Sequence, residues 1–141
     1  MSSCWIGVAC REHVASGVRQ GICQLGHGKE APVRRLKRGD LIVYYSPRER
    51  LGDGAPVQAF TAAGRILDET PYQVYTGNGF HMYRRNTEFF PTRETPIHPI
   101  LQKLSFTRGR ENWGMCFRHG VFKITSEDYQ LIAHAMGIEV C

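Results

Sequence analysis

Apolar positions along this chain fall in short runs, and turn formers separate them at close intervals. Cys4–Cys10 reads as a strand, and Arg11–Val18 as a short helix with Val14 and Val18 on one face, closed near Gly17 or Gly21. Ile22–Leu25 is a brief extended piece before the loop Gly26-His27-Gly28. Leu36–Asp40 is a turn. Leu41–Tyr45 is a buried strand ended by Ser46-Pro47, since the residue before proline avoids helical geometry. Arg48–Pro56 carries two glycines, Asp53 and Pro56 and reads as a surface loop, followed by a long strand over Val57–Leu67. Tyr72–Thr76 and Phe80–Arg85 flank Gly77-Asn78-Gly79, a hairpin signal. Pro96–Leu104 predicts one or two helical turns, and Phe117–Ile124 another strand. The last helix is the clearest. Thr125-x-x-Asp128 is a capping-box pattern, Tyr129, Ile132, Ala133 and Met136 recur at helical spacing, and Gly137 is a natural stop.

This pattern predicts an α+β fold: a curled sheet of five to seven strands with short helices at its edges. Helices are too few and too short for a doubly wound sheet. At 141 residues the chain is expected to be one domain, with enough length for its own core. No apolar run is long enough to cross a bilayer, and no cationic segment followed by an apolar stretch opens the chain. A cytoplasmic location is the expectation. The five cysteines, Cys4, Cys10, Cys23, Cys116 and Cys141, include no CxxC and read as reduced thiols.

The formal charge is +5, and its distribution says more than its sum. Between Lys29 and Arg50 lie seven cations and three anions, so this window supplies +4. Further cations follow at Arg84, Arg85, Arg108, Arg110 and Arg118. Such a window is either a solvated face or an electrostatic footprint for phosphates.

Several chemistries can be weighed against these residues. Gly21-x-x-x-x-Gly26 opens like a phosphate loop, but His27 stands where lysine should, and no Ser or Thr follows Lys29. Cys23-x-x-x-His27 and Cys116-x-x-His119 could in principle supply a tetrahedral zinc site, without the repeated spacing of a dedicated one. No metal or other cofactor is therefore expected. A thiolate–imidazole pair of Cys23 and His27 lacks a third, orienting group. Asp68-Glu69 reads as a turn and Glu127-Asp128 as a helix first turn, so neither is an acid/base dyad. Tyr44-Tyr45-Ser46-Pro47 and Asn112-Trp113-Gly114 put aromatic rings beside turn residues. Rings so placed can be core or can stack an unpaired nucleobase. Strand geometry sends Tyr44 and Tyr45 to opposite faces and leaves open which one is which.

Several motifs together resemble a known family. They are Trp5-Ile6-Gly7-Val8-Ala9-x-x-Glu12-His13, Gly21-x-Cys23-Gln24-x-x-His27-Gly28-Lys29-x-Ala31-Pro32, Gly39-Asp40 with Tyr44-Tyr45-Ser46-Pro47, Gln58-Ala59-Phe60-Thr61-Ala62, and Asn112-Trp113-Gly114-x-x-Phe117-Arg118-x-Gly120. The chain is similar to single-domain bacterial EVE proteins from Trp5 to the final helix. The resemblance implies a PUA-like open barrel, related to YTH domains, and binding of nucleic acid with a modified base held in a pocket. Carried onto this sequence, the pocket would draw on Cys23, Gln24, His27, Tyr45, Ser46 and Trp113, with Lys29 at its mouth. The analogy with YTH domains implies an aromatic cage in which Trp113 and the tyrosines are the candidates.

The resulting expectation is a non-enzymatic module for RNA or DNA with a modified or flipped base. Arg34, Arg35, Lys37, Arg84 and Arg85 would contact phosphates. The rivals are a binder of a nucleotide-like metabolite in the same pocket and an enzyme acting on a base through Cys23 and His27. No membrane partner is expected, and the oligomeric state is left open.

Overall fold

The structure, a computed structural model, describes residues 2–52, 54–77 and 79–138; the side chains of Thr76 and Phe80 and the expected turn residue Asn78 lie outside the description. Eight strands join in one mixed sheet: β1 (Cys4–Val8), β2 (Ile22–Cys23), β3 (Leu41–Arg48), β4 (Pro56–Ile66), β5 (Tyr72–Gly77), β6 (Phe80–Phe89), β7 (Thr95–Pro96) and β8 (Val121–Ile124). Two of them, β2 and β7, are only two residues long, leaving six of ordinary length. The order is β2-β6-β4-β3-β1-β8, with β5 on β6 and β7 on β4, and the sheet curls strongly into a half-barrel. Three short helices lie against it: α1 (Arg11–Gln20), α2 (Glu30–Arg34) and α3 (Ser126–Ala135). This is the α+β curled sheet the sequence pattern predicts and the PUA-like architecture the resemblance implies.

The central pair decides the rest. β1 and β3 run parallel, with Gly7 opposite Tyr44 and Val8 opposite Tyr45, and the connection between them carries α1, β2 and α2. Both faces of this pair are covered, so its strands read as continuous apolar runs. Ile6, Val43 and Tyr45 join one core with Phe60, Phe117 and the α3 residues Tyr129, Ile132 and Ala133. Trp5, Ile42 and Tyr44 join the other, against Val14 of α1, Leu25, Val33 of α2 and Leu36. The period-two alternation of a strand assigns each tyrosine to its own layer.

Local chemistry places the ends. α1 stops at Gly21, whose φ of 70° is the left-handed cap that glycine adopts freely. Thr125 caps α3 through its hydroxyl, which accepts from the Asp128 N–H. Asp40 is buried and accepts three N–H bonds at 2.9 Å, from Ser3, Lys37 and the Trp5 indole. That carboxylate ties the start of β1 to the start of β3 and holds Trp5 in place.

Three sequence expectations need correction. The strand expected over Phe117–Ile124 starts at Val121, and residues Trp113–His119 form 3-10 turns instead. β3 runs on to Arg48, so the following loop is shorter than expected. The helix α2, with Pro32 at its third position, was not anticipated from the sequence. No helix among the described residues is long and apolar enough to cross a membrane.

Candidate nucleic-acid interface

A cleft of about 320 Å³ opens where β1 and β3 end. There the two chains part. β1 turns into α1 at Cys10, and β3 runs on past Pro47 and Arg48 into its loop. The N–H of Ala9 donates to the Tyr45 carbonyl at 3.2 Å and that of Val8 to the Gly120 carbonyl at 2.8 Å, which closes the floor. Ligands of open sheets commonly sit beyond the carboxyl ends of parallel strands, where neighbouring connections diverge. Val8, Ala9 and Phe117 make the apolar floor, and His13 of α1 contributes one wall. Gln24, Gly26 and His27 make another, and Arg48, Arg50 and Arg118 stand around the rim. The volume lies at the small end of the roughly 300–1,000 Å³ usual for ligand sites, room for one ring system.

The charge of this cleft is one-sided. Among the described residues no Asp or Glu lines it and none makes an ion pair with any of the three rim arginines. Glu49, the nearest acid in sequence, is drawn to Arg11 at 2.7 Å, and Arg11 also grips Glu94. Arg48 donates to the Gly54 carbonyl at 3.1 Å and is otherwise exposed.

The His27 loop is clamped at both flanks. Gly26, His27 and Gly28 have φ values of 56°, 61° and 83°. A Cβ on Gly26 would come within 2.7 Å of Pro32 of α2, and one on Gly28 would overlap the Met82 sulfur of β6. Leu25 is anchored in the core because Gly7 leaves room for it; a Cβ on Gly7 would lie 2.6 Å from Leu25. Held at these points, the chain keeps a non-glycine residue in left-handed geometry at a cost of about 1–2 kcal/mol. The exposed imidazole of His27 thereby lines the cleft.

Gln24 is positioned twice. The Tyr44 hydroxyl accepts from its backbone N–H and donates to its backbone carbonyl, both at 3.3 Å. The Arg84 Nε donates to its side-chain Oε1 at 3.1 Å. A smaller cavity of about 160 Å³ adjoins behind it, shared by His13, Tyr44 and Arg84.

Of the site residues expected from sequence, Gln24 and His27 reach the cleft, and Lys29 is exposed just past it. The others do not. Cys23 is fully buried, its Sγ lies 3.3 Å from the Tyr44 hydroxyl oxygen, and its thiol is pushed up to about 12 by burial. Such a thiol is the reverse of an activated thiolate, and the imidazole of His27 stands in solvent rather than beside it. Tyr45 is stacked on Phe117 with ring centroids 3.9 Å apart and interplanar angle 15°, and is 2% exposed. Ser46 is buried with its hydroxyl 2.8 Å from that of Thr61. Trp113 is half-buried, edge-on to Phe117 and His98, and does not line the cleft. The aromatic cage expected by analogy is thus absorbed into the core.

The phosphate-contact residues divide similarly. Arg85 has no exposure and cannot touch a phosphate: it binds Asp68 at 2.6 Å and donates to the carbonyls of Val33, Leu36 and Asp68. Arg84 is half-buried and spends its Nε on Gln24. Arg34, Arg35 and Lys37 are exposed but away from the cleft lining; Arg34 pairs with Glu30, and Arg35 sits 5.0 Å over the Trp5 ring. Among the described residues no three His, Cys, Asp or Glu side chains come together as a metal-binding group, and Cys116 donates instead to the Trp113 carbonyl.

Sequence reasoning missed His13, Arg48, Arg50, Phe117 and Arg118 as site residues. The signal was present. His13 ends the first motif, Phe117-Arg118-x-Gly120 ends the last, and the two arginines sit in the basic window. Reading Phe117 as the start of a strand hid the turn that puts its ring inside and Arg118 outside.

Comparisons with known proteins agree with this architecture. A UPF0310 protein of Mesorhizobium japonicum is 50% identical over 139 residues, covering 97% of this chain and 93% of that protein. One from Bacillus subtilis is 37% identical over 136 residues, covering 96% and 93%. A solved hypothetical protein from Leishmania major superposes with a TM-score of 0.61 at 10% identity, covering 95% of this chain and 94% of that one, a likeness of fold. Protein Atu2648 from Agrobacterium tumefaciens gives 0.58 at 12% identity, covering 97% and 94%. The EVE domain family model matches residues 3–135, and the chain belongs to the EVE domain family.

Proposed function

We propose that this EVE domain is a nucleic-acid-binding module that takes one unpaired or extruded base of RNA or DNA into the cleft at the ends of β1 and β3. The observation that carries the reading is a ring-sized cleft with an apolar floor, the amide of Gln24 and imidazoles of His13 and His27 in its walls, and three arginines at its rim. The base lies over Val8, Ala9 and Phe117 while its edge meets the polar wall, and flanking phosphates meet Arg48, Arg50 and Arg118. The residues bind and orient; no step of bond making is assigned to them. A base carrying an added alkyl group places it against the apolar floor, in keeping with the modified-base recognition the family resemblance implies.

Three phosphate contacts set a salt dependence. For a single strand the slope is about −0.7 per contact, so affinity falls about 20-fold between 50 and 200 mM salt. Base contact adds about 1–3 kcal/mol. Titrating short plain and methylated RNA and DNA strands at both salts, by anisotropy, tests this. Binding indifferent to salt and unaffected by charge removal at Arg50 and Arg118 would reject it. A second reading draws on the cleft's small volume, which also suits a free nucleotide. It predicts thermal stabilisation by nucleoside monophosphates with no tighter binding of oligonucleotides.

A further inference from the structure

The geometry points to a base with a carbonyl edge, uracil- or hypoxanthine-like rather than cytosine- or adenine-like, as the ring this cleft selects, with Arg84 setting that choice through Gln24. The inference rests on the proposed base-binding role of the cleft. A glutamine amide offers one acceptor oxygen and two N–H donors, and alone it reads either kind of edge by turning over. Here it is not free to turn. Arg84 has donors only, and its Nε lies 3.1 Å from Gln24 Oε1, so the bonded atom must be the oxygen. The amide nitrogen is the end left over, and no hydrogen bond among the described residues uses it.

The backbone gives the amide no slack. Both backbone polar atoms of Gln24 are held by the Tyr44 hydroxyl, from a strand covered on both faces. The rest of the cleft repeats the same bias. Arg48, Arg50 and Arg118 can only donate, and no carboxylate or hydroxyl side chain lines the site among the described residues. Apart from the weakly accepting sulfur of Cys10, the imidazoles of His13 and His27 are the remaining side chains that can accept. A ligand edge rich in carbonyl oxygens finds partners here, whereas an exocyclic amino group is set against another donor.

Arg84 is thus a positioning residue, acting through Gln24 and not on the ligand. Short oligonucleotides of uridine, cytidine, inosine and adenosine, titrated by anisotropy at 50 mM salt, read the choice directly. Uridine over cytidine and inosine over adenosine should each bind about 10-fold tighter, within the range of one well-made base contact. In Arg84→Met, whose amide can turn, both ratios should fall below about threefold while the melting curve still reports a folded protein. Arg84→Lys, which keeps a donor, should retain most of the preference. Gln24→Glu puts acceptors at the edge and should reverse it toward cytidine and adenosine. Equal affinities in the wild type, or ratios unchanged in Arg84→Met, overturn this inference and leave base binding standing. Failure of every oligonucleotide to bind overturns the proposed function itself.

Discussion

Replacing Arg85 by methionine removes a guanidinium from the middle of the structure while roughly keeping its length. The side chain has no exposure and makes four bonds: Nε to Asp68 Oδ1 at 2.6 Å, Nη2 to the Asp68 carbonyl at 2.6 Å, and Nη1 to the carbonyls of Val33, at 2.8 Å, and Leu36. These join β6 to the end of α2, which carries the chain on from the His27 loop. The variant leaves the carbonyls of Leu36 and Asp68 without a donor, that of Val33 with only the Leu36 N–H, and a carboxylate, 21% exposed, with only the Asn86 N–H as a remaining bond. Breaking one side of a buried pair costs about 3–5 kcal/mol, chiefly because the other side stays desolvated. For a domain of this size that is a fall of roughly 10–20 °C in melting temperature. Urea denaturation at pH 7.5, with the slope held as a check on two-state unfolding, measures it. Arg85→Lys should recover only part, since an ammonium cannot span Asp68 and both α2 carbonyls. Arg34→Met, which removes an exposed pair with Glu30, serves as control and should change stability by less than about 0.5 kcal/mol. A loss under about 1 kcal/mol in Arg85→Met, with weakened oligonucleotide binding, would refute the buried role and restore the surface one.

Three further outcomes are expected. Gly28→Ala, at φ 83° and overlapping Met82, should cost about 2 kcal/mol, and Met82→Ala in the same chain should recover part of it; a urea midpoint unmoved by the first change contradicts the clamp. His27→Gly relieves left-handed strain and loosens the unfolded chain, so its stability should stay within about 0.5 kcal/mol of wild type while oligonucleotide affinity drops several-fold; a large loss of stability with unchanged binding would assign His27 to the fold alone. Burial raises the Cys23 thiol to about 12 from an ordinary 9, so the folded state resists its ionisation. That stability is whole below pH 9 and is lost above it, at about 1.4 kcal/mol per pH unit until the folded value is reached. Burial likewise raises Tyr44 and Tyr45 from 10 and adds losses at higher pH. Between pH 8 and 9.7 the urea midpoint of wild type should therefore fall, and that of Cys23→Ala should stay flatter. Parallel curves would show the thiol to be accessible.

The fold was more legible than the site, and the reason lies in particular residues. Leu41–Tyr45 announced a strand covered on both faces, and Thr125 with Gly137 bracketed the last helix, because each signal is carried by neighbours in the chain. The motif around Cys23–Lys29 pointed to a loop that lines the cleft but not to which of its side chains face out. Cys23 and Gln24 are adjacent, one sealed and one lining the cleft, and only the packing of Tyr44 and Arg84 separates them. Tyr45 and Ser46 carried the same resemblance and are core.

By itself the sequence determined the alternation of apolar residues, the caps and hairpin turn, the basic balance and the motifs that identify the family. Those depend on spacing along the chain and on the conformational limits of each residue. Only the tertiary structure decided that the cleft lies where β1 and β3 end, since those ends, residues 8 and 48, meet only after the two strands pair in parallel. It decided too that Phe117 folds back onto Tyr45, closing the expected aromatic site and leaving Arg118 at the rim of the cleft. Burial is a sum over neighbours distant in sequence, and for two adjacent polar or aromatic residues that sum is set by what packs above them.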